Sequence, residues 1–286
     1  MIKLIAAASG IAAADHGCAD GPKVLQQSQY LDPLNYEWVA EITSVPQKNK
    51  KLVDVVARWC SELALQTQKL TQNDELFCVI GGDHSSAIGT WSGVVNALGQ
   101  QQPLGLIWID AHLDAHTFET TETGMIHGMP LAALLGFGDS KLTQIANLQP
   151  KFKAENICII GARSFESGEY HLLQSQGVKI YYMDEVRNLG FASIFAEAVG
   201  YLSKRTQKFA LSLDLDGIDP LDAPGVGTPV ANGIAAAAVL STLTNLAKQP
   251  NFIGMEITEF NPHRDKKHKT EQLIARILDE IFVCHA

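Results

Sequence analysis

The stretch Leu104-Gly105-Leu106-Ile107-Trp108-Ile109-Asp110-Ala111-His112-Leu113-Asp114 decides the fold class. Its first six residues carry no charge and show no alternation of polar and apolar positions. A strand that is apolar on both faces is covered on both faces, the pattern of a parallel sheet with helices on each side. The run then changes abruptly into two carboxylates and an imidazole. In parallel α/β sheets ligands sit beyond the carboxyl ends of the strands, so this change of chemistry marks a functional rim.

The same arrangement recurs along the chain. Candidate strands lie at 2–8, 75–80, 104–110, 156–161, 178–183, 208–215 and 251–257. Between them, helical periodicity runs through 48–69, 85–99, 128–137, 165–176, 190–206, 233–248 and 268–284. Short strands alternating with longer helices give the α/β class with a mostly parallel sheet. A three-layer sandwich and a closed barrel both satisfy the pattern. Residues 31–50 are polar and proline-marked, and read as a loop before a helix. Tyr30, Tyr36 and Trp38, in or near it, read as packing aromatics. No charge block, low-complexity tract or Pro/Gly linker divides the chain, so 1–286 reads as one domain.

Composition narrows the class of function. With 46% apolar residues among 286, the chain can bury a large core and is not disordered along its length. A net charge of −9 argues against nucleic-acid binding, which rests on neutralised phosphates. No run approaches the roughly 20 apolar residues that cross a bilayer. The opening Met1-Ile2-Lys3-Leu4-Ile5 run is broken by Ser9-Gly10 and reads as a buried first strand rather than an export signal. The cysteines at 18, 60, 78, 158 and 284 have no metal-binding or redox spacing. The expected location is the cytoplasm.

Three predicted strand ends carry the chemistry. The strand at 75–80 opens into Gly81-Gly82-Asp83-His84-Ser85, that at 104–110 into Asp110, His112 and Asp114, and that at 208–215 into Asp214-Leu215-Asp216-Gly217. On an extended chain, positions i and i+2 point the same way, so Asp110, His112 and Asp114 form one row and Asp214 with Asp216 another. Alone, an Asp-X-Asp pair is a turn former or helix cap, and His84 could cap the helix that follows it. Together, so many carboxylates repel and, unless protonated, need cations between them. A set rich in carboxylate, with two imidazoles and no thiolate, suits a hard or borderline ion such as Mn²⁺ better than structural zinc. Six ligands suit two ions with an activated water between them, and hence hydrolysis.

These motifs, with Ser212-Leu213-Asp214-Leu215-Asp216-Gly217-Ile218-Asp219-Pro220, Gly227-Thr228-Pro229-Val230 and Glu259-Phe260-Asn261-Pro262, resemble the ureohydrolase superfamily of arginases, agmatinases and formiminoglutamases. The resemblance implies a three-layer α/β/α sandwich around an eight-stranded sheet, two Mn²⁺ per subunit and a trimer or hexamer. It implies attack by a metal-bridging hydroxide on a guanidino or formimino carbon. His84, Asp110, Asp114 and Asp214 match one ion's ligands. His112 and Asp216 join the second, which shares carboxylates with the first. Asp110 thus counts in the catalytic set beside His127, matching a proton-carrying loop histidine, and Glu259, matching the residue that receives the guanidinium.

In the resemblance, substrate recognition falls on His116 and Thr123, where arginase has Asn and Ser, and on Glu166 and Glu169, which suit a substrate ammonium. The implied partner is a small cationic or zwitterionic amino-acid derivative. Arginase activity is expected from His127 and Gly227-Thr228-Pro229-Val230. Ala223-Pro224-Gly225-Val226 and Glu259-Phe260-Asn261-Pro262-His263-Arg264-Asp265 look more like formiminoglutamase.

Overall fold

Eight strands form one sheet in the order β2-β1-β3-β8-β7-β4-β5-β6, and every neighbouring pair is parallel. In this computed structural model, which describes residues 1–99, 101–147 and 150–282, the strands are β1 (Ile2–Ala8), β2 (Tyr36–Thr43), β3 (Phe77–Gly81), β4 (Leu104–Ile109), β5 (Ile157–Ala162), β6 (Lys179–Tyr182), β7 (Lys208–Asp214) and β8 (Phe252–Thr258). The helices are α1 (Gly21–Gln26), α2 (Leu52–Gln72), α3 (Ser86–Leu98), α4 (Pro130–Leu134), α5 (Ser140–Thr143), α6 (Ser167–Gln176), α7 (Met183–Leu189), α8 (Phe191–Leu202), α9 (Ala236–Leu243) and α10 (Lys269–Phe282). Cys284 and the end of the helix expected to 284 lie outside the described residues.

Strand order and handedness together sort the helices into layers. From β2 to β6 the chain steps towards one edge, and from β6 through β7 to β8 it steps back. Parallel crossovers are right-handed, so the two directions of travel put their helices on opposite faces. Buried residues of α2 to α6 pack with Phe77, Val79, Leu106 and Trp108 in one core. Those of α1 and α7 to α10 pack with Cys78, Ile80, Ile107 and Ile109 in the other. Successive residues of one strand thus serve opposite layers, which is why the strands read as unbroken apolar runs. The fold is the expected α/β/α sandwich, and the barrel alternative is excluded by the open edges at β2 and β6.

Residues 31–50 depart from the expectation of a loop, because Tyr36–Thr43 is the edge strand β2, paired along β1. Only Ile42 of its eight residues is buried. An edge strand need not be apolar on both faces, and charged positions such as Glu37 and Glu41 protect it from pairing with other chains. Tyr36 and Trp38 pack edge to face with ring centres 6.3 Å apart, half-buried against the second core.

The extended row predicted for residues 110–114 also needs correction. Strand β4 stops at Ile109, and Asp114 has φ +49°. Asp216 lies in a 3₁₀ turn, Leu215–Gly217, capped by the Asp214 side chain. The acidic side chains are therefore gathered by turns that curl over the sheet rather than by strand alternation. At the end of β3, Gly82 lets the chain that leads to His84 pass against the segment after β1, since a Cβ there would stand 1.8 Å from the Ser9 carbonyl oxygen.

Candidate metal centre

The four central strands, β3, β8, β7 and β4, are neighbours, and each delivers part of the site at its carboxyl end. His84 follows β3, Glu259 follows β8, Asp214 ends β7, and Asp110 follows β4. Asp110, Asp114, Asp214, Asp216 and Glu259 are all buried, as is His84. Among the described residues, the ion-pair partners of these carboxylates are histidines alone.

Two convergent groups emerge. In the first, Nδ1 of His84 lies 3.3 Å from Asp110 Oδ2, 2.9 Å from Asp114 Oδ2 and 3.0 Å from Asp214 Oδ2. In the second, Nδ1 of His112 lies 3.4 Å from Asp110 Oδ1 and 3.2 Å from Asp216 Oδ2. Asp110 gives one oxygen to each group and so joins them. Each group could hold a metal ion, its donor atoms lying within 4.8 Å of one another. The donor chemistry fits: Nδ1 of His84 is buried and makes no hydrogen bond despite three oxygens around it. Those atoms surround a common point instead of bonding to one another, as ligands do.

The supporting contacts fix these donors. The Trp108 indole N–H donates to Asp110 Oδ2 at 2.9 Å, and the ring stacks on His84 with centres 4.2 Å apart. The backbone N–H groups of His112 and Asp216 donate to Asp110 Oδ1 and Asp214 Oδ1, at 2.7 and 2.9 Å. Thr228 donates to Asp216 Oδ2 at 2.9 Å. Burial penalises charge on Asp114 and pushes its carboxyl up to about 6, with Asp110 adding repulsion. Burial opposes protonation of His84 too, yet Asp110, Asp114 and Asp214 raise its proton affinity well above that of an ordinary imidazole. A field that attracts a proton to this point also attracts a metal cation, which would displace the proton on binding.

Glu259 sits beside the clusters with φ +65°, a backbone region uncommon for a residue with a side chain. Its Oε1 accepts the His84 backbone N–H at 2.9 Å and lies 3.2 Å from His127 Nδ1. Its Oε2 accepts the Cys18 thiol at 3.1 Å. Gly227 makes that meeting possible, since a Cβ there would stand 2.7 Å from Glu259 Oε2. Burial works against a charged His127, but its contact with the Glu259 carboxylate outweighs this and lifts the imidazole to about 9. The contact with Glu259 thus favours the protonated form of His127.

A cavity of about 230 Å³ opens onto both clusters, lined in part by His112, His127, Glu259, His116, Thr123 and Glu166. His116 is buried in its wall, with Nδ1 3.1 Å from Thr120 Oγ1 and Nε2 3.0 Å from Glu166 Oε2. Glu169 also lines the cavity, but its carboxylate accepts the N–H groups of Glu166 and Ala115, at 3.0 and 3.2 Å. Burial raises it to about 8. Glu166, by contrast, is largely exposed at the rim. Every expected site residue thus lies in or around one cleft.

Several contributors were not singled out from the sequence. Arg163 spends its guanidinium on backbone carbonyls, donating to Asp216 O at 2.6 Å and to Val230 O at 2.9 Å. It staples the turn that carries Asp216. Glu256 is buried inside β8, an acid within an otherwise apolar run, which is itself a signal. Cys18 gave no signal, because only the fold brings it to Glu259.

The fold and this site, with the likenesses that follow, define a hydrolase acting on carbon–nitrogen bonds of linear amidines. The model of the arginase family matches residues 2–284. An arginase of Bacillus caldovelox is 38% identical over 276 residues, covering 92% of this chain and 91% of the relative. A crystal structure of arginase from Bacillus subtilis superposes with a TM-score of 0.91 at 34% identity, covering 100% of this chain and 99% of that one. Formimidoylglutamase from the same organism shares the fold, with a TM-score of 0.80 at 21% identity over 98% of this chain and 85% of that one. The chain belongs to the arginase family.

Proposed function

We propose that the chain is a binuclear Mn²⁺ hydrolase that converts arginine to ornithine and urea. The observation that carries this reading is the position of Glu259, a buried carboxylate held by three donors beside both ligand clusters and open to the cavity. A guanidinium has only donor groups and seeks such an acceptor. His84, Asp110, Asp114 and Asp214 would hold one ion, and His112 and Asp216, with shared Asp110, the other. Bound there, two Mn²⁺ ions would act as Lewis acids and lower the pKa of a shared water. Asp110 keeps both positions in register.

His127, whose protonated form is favoured by Glu259 at 3.2 Å, is placed to give a proton to the departing amine. At the rim, Glu166 is the exposed acid available to a substrate ammonium, while Glu169 and His116 hold the wall and Thr123 offers a hydroxyl. The substrate is a small zwitterion, and the protein works in the cytoplasm as a single-domain subunit of a trimer or hexamer. No described helix is long and apolar enough to cross a membrane.

Mn²⁺-loaded protein should release urea from arginine, with agmatine and formiminoglutamate much slower. Formamide from formiminoglutamate, with arginine inert, would overturn the substrate assignment and leave the hydrolase reading standing.

A further inference from the structure

A chain of hydrogen bonds runs beneath His84, away from the cavity. Strand register creates it, because Ser212 of β7 is the partner of Glu256 on β8 and of Trp108 on β4. All three lie on the sheet face covered by α3, which adds Trp91. The Trp91 indole N–H donates to Glu256 Oε1 at 2.6 Å. The Ser212 hydroxyl reaches the same oxygen at 2.7 Å, and Ser212 Oγ lies 3.0 Å from His84 Nε2.

The directions of these bonds follow from the donors. An indole N–H can only donate, so Glu256 Oε1 is an acceptor, whether or not Oε2 carries a proton. Ser212 has one proton and spends it on that oxygen. Towards His84 it can therefore only accept, so Nε2 must bear the ring hydrogen. Nδ1, among three carboxylate oxygens, is then the nitrogen whose lone pair a metal ion can take in place of a proton.

We propose that Glu256, acting through Ser212, is a positioning residue that selects the metal-binding tautomer of His84 and so sets the affinity of one of the two ion positions. The inference rests on the two-ion reading above. It is confined to the first cluster. His112 has no such support, since among the described residues its Nε2 has no hydrogen-bond partner and its ring is a quarter exposed on the cavity.

The test is Mn²⁺ binding to the purified full chain by calorimetry, with electron paramagnetic resonance to separate coupled ion pairs from isolated ions. Glu256→Leu removes the acceptor and frees the Ser212 proton to turn towards His84. It should weaken one ion about 10- to 100-fold, the range for loss of a ligand's supporting partner, and convert the coupled-pair spectrum to that of an isolated ion. Glu256→Gln keeps an oxygen where Trp91 and Ser212 donate, so its loss should be clearly smaller. Ser212→Ala leaves Nε2–H without a partner and should fall between them, and it carries the test if the leucine variant does not fold. Two ions binding to folded Glu256→Leu or to Ser212→Ala as tightly as to the wild type would overturn the proposal. Equal damage from Gln and Leu would do so as well, since charge and not bond direction would then be responsible. A wild-type chain that takes up no Mn²⁺ would remove the two-ion reading and this inference with it.

Discussion

Replacing Glu259 by Gln is the most informative single change at the proposed guanidinium receptor. The side chain is fully buried, so its charge meets a bound cation with little screening, and the two shapes are nearly identical. Truncating one partner of a buried, hydrogen-bonded charge pair costs about 2–5 kcal/mol. Glutamine keeps one acceptor oxygen, which places the loss near the lower end, about 2–3 kcal/mol, or roughly 30- to 150-fold in substrate affinity. Two further consequences separate this from general damage. The ion clusters do not include Glu259 side-chain atoms, so Mn²⁺ content should stay at wild-type level. His127 should lose the partner that lifts it to about 9, so the alkaline limb of the activity profile should move to lower pH. The assay is steady-state urea release from arginine across pH, with metal content measured on the same sample. A KM within threefold of wild type, with metal retained, would refute the receptor role.

Asp110 touches both ligand clusters, so Asp110→Asn should weaken both ions, each by more than about 100-fold, beyond what a supporting partner contributes; metal analysis after dialysis reads this directly. For His127, the folded value of about 9 lies above the ordinary 6.5. The stabilisation from its pair with Glu259 is therefore complete below about pH 6.5 and lost as pH rises through 9, amounting to about 3 kcal/mol at most. His127→Asn should flatten that dependence in denaturant titrations at a series of pH values, while lowering turnover and sparing the metals. Gly82→Ala drives a Cβ into the Ser9 backbone. It should cost about 3 kcal/mol or more and lower the thermal midpoint by roughly 6–12 °C; an unchanged midpoint would contradict the packing described at that turn.

The parts of the fold and site that were legible in the sequence share a physical cause. Central strands are apolar on both faces and announce themselves, whereas β2 at the edge is half polar and reads as a loop. The acidic residues after β3, β4 and β7 break apolar runs abruptly, so their convergence could be read from the rule that sites lie at carboxyl ends. How they converge could not, because turns and a positive φ at Asp114 do the gathering. Partnerships across the fold, such as Cys18 with Glu259 or Ser212 with Glu256, depend on register and layer, which no local pattern encodes.

The central claim is that two cations, one in each cluster, are needed for hydrolysis. The direct measurement is to add Mn²⁺ stepwise to metal-free protein while recording binding and urea release from arginine together. Two equivalents per subunit should bind, with full activity reached only as the second position fills. Saturated activity at one equivalent, or two bound ions with no urea formed, would contradict the account.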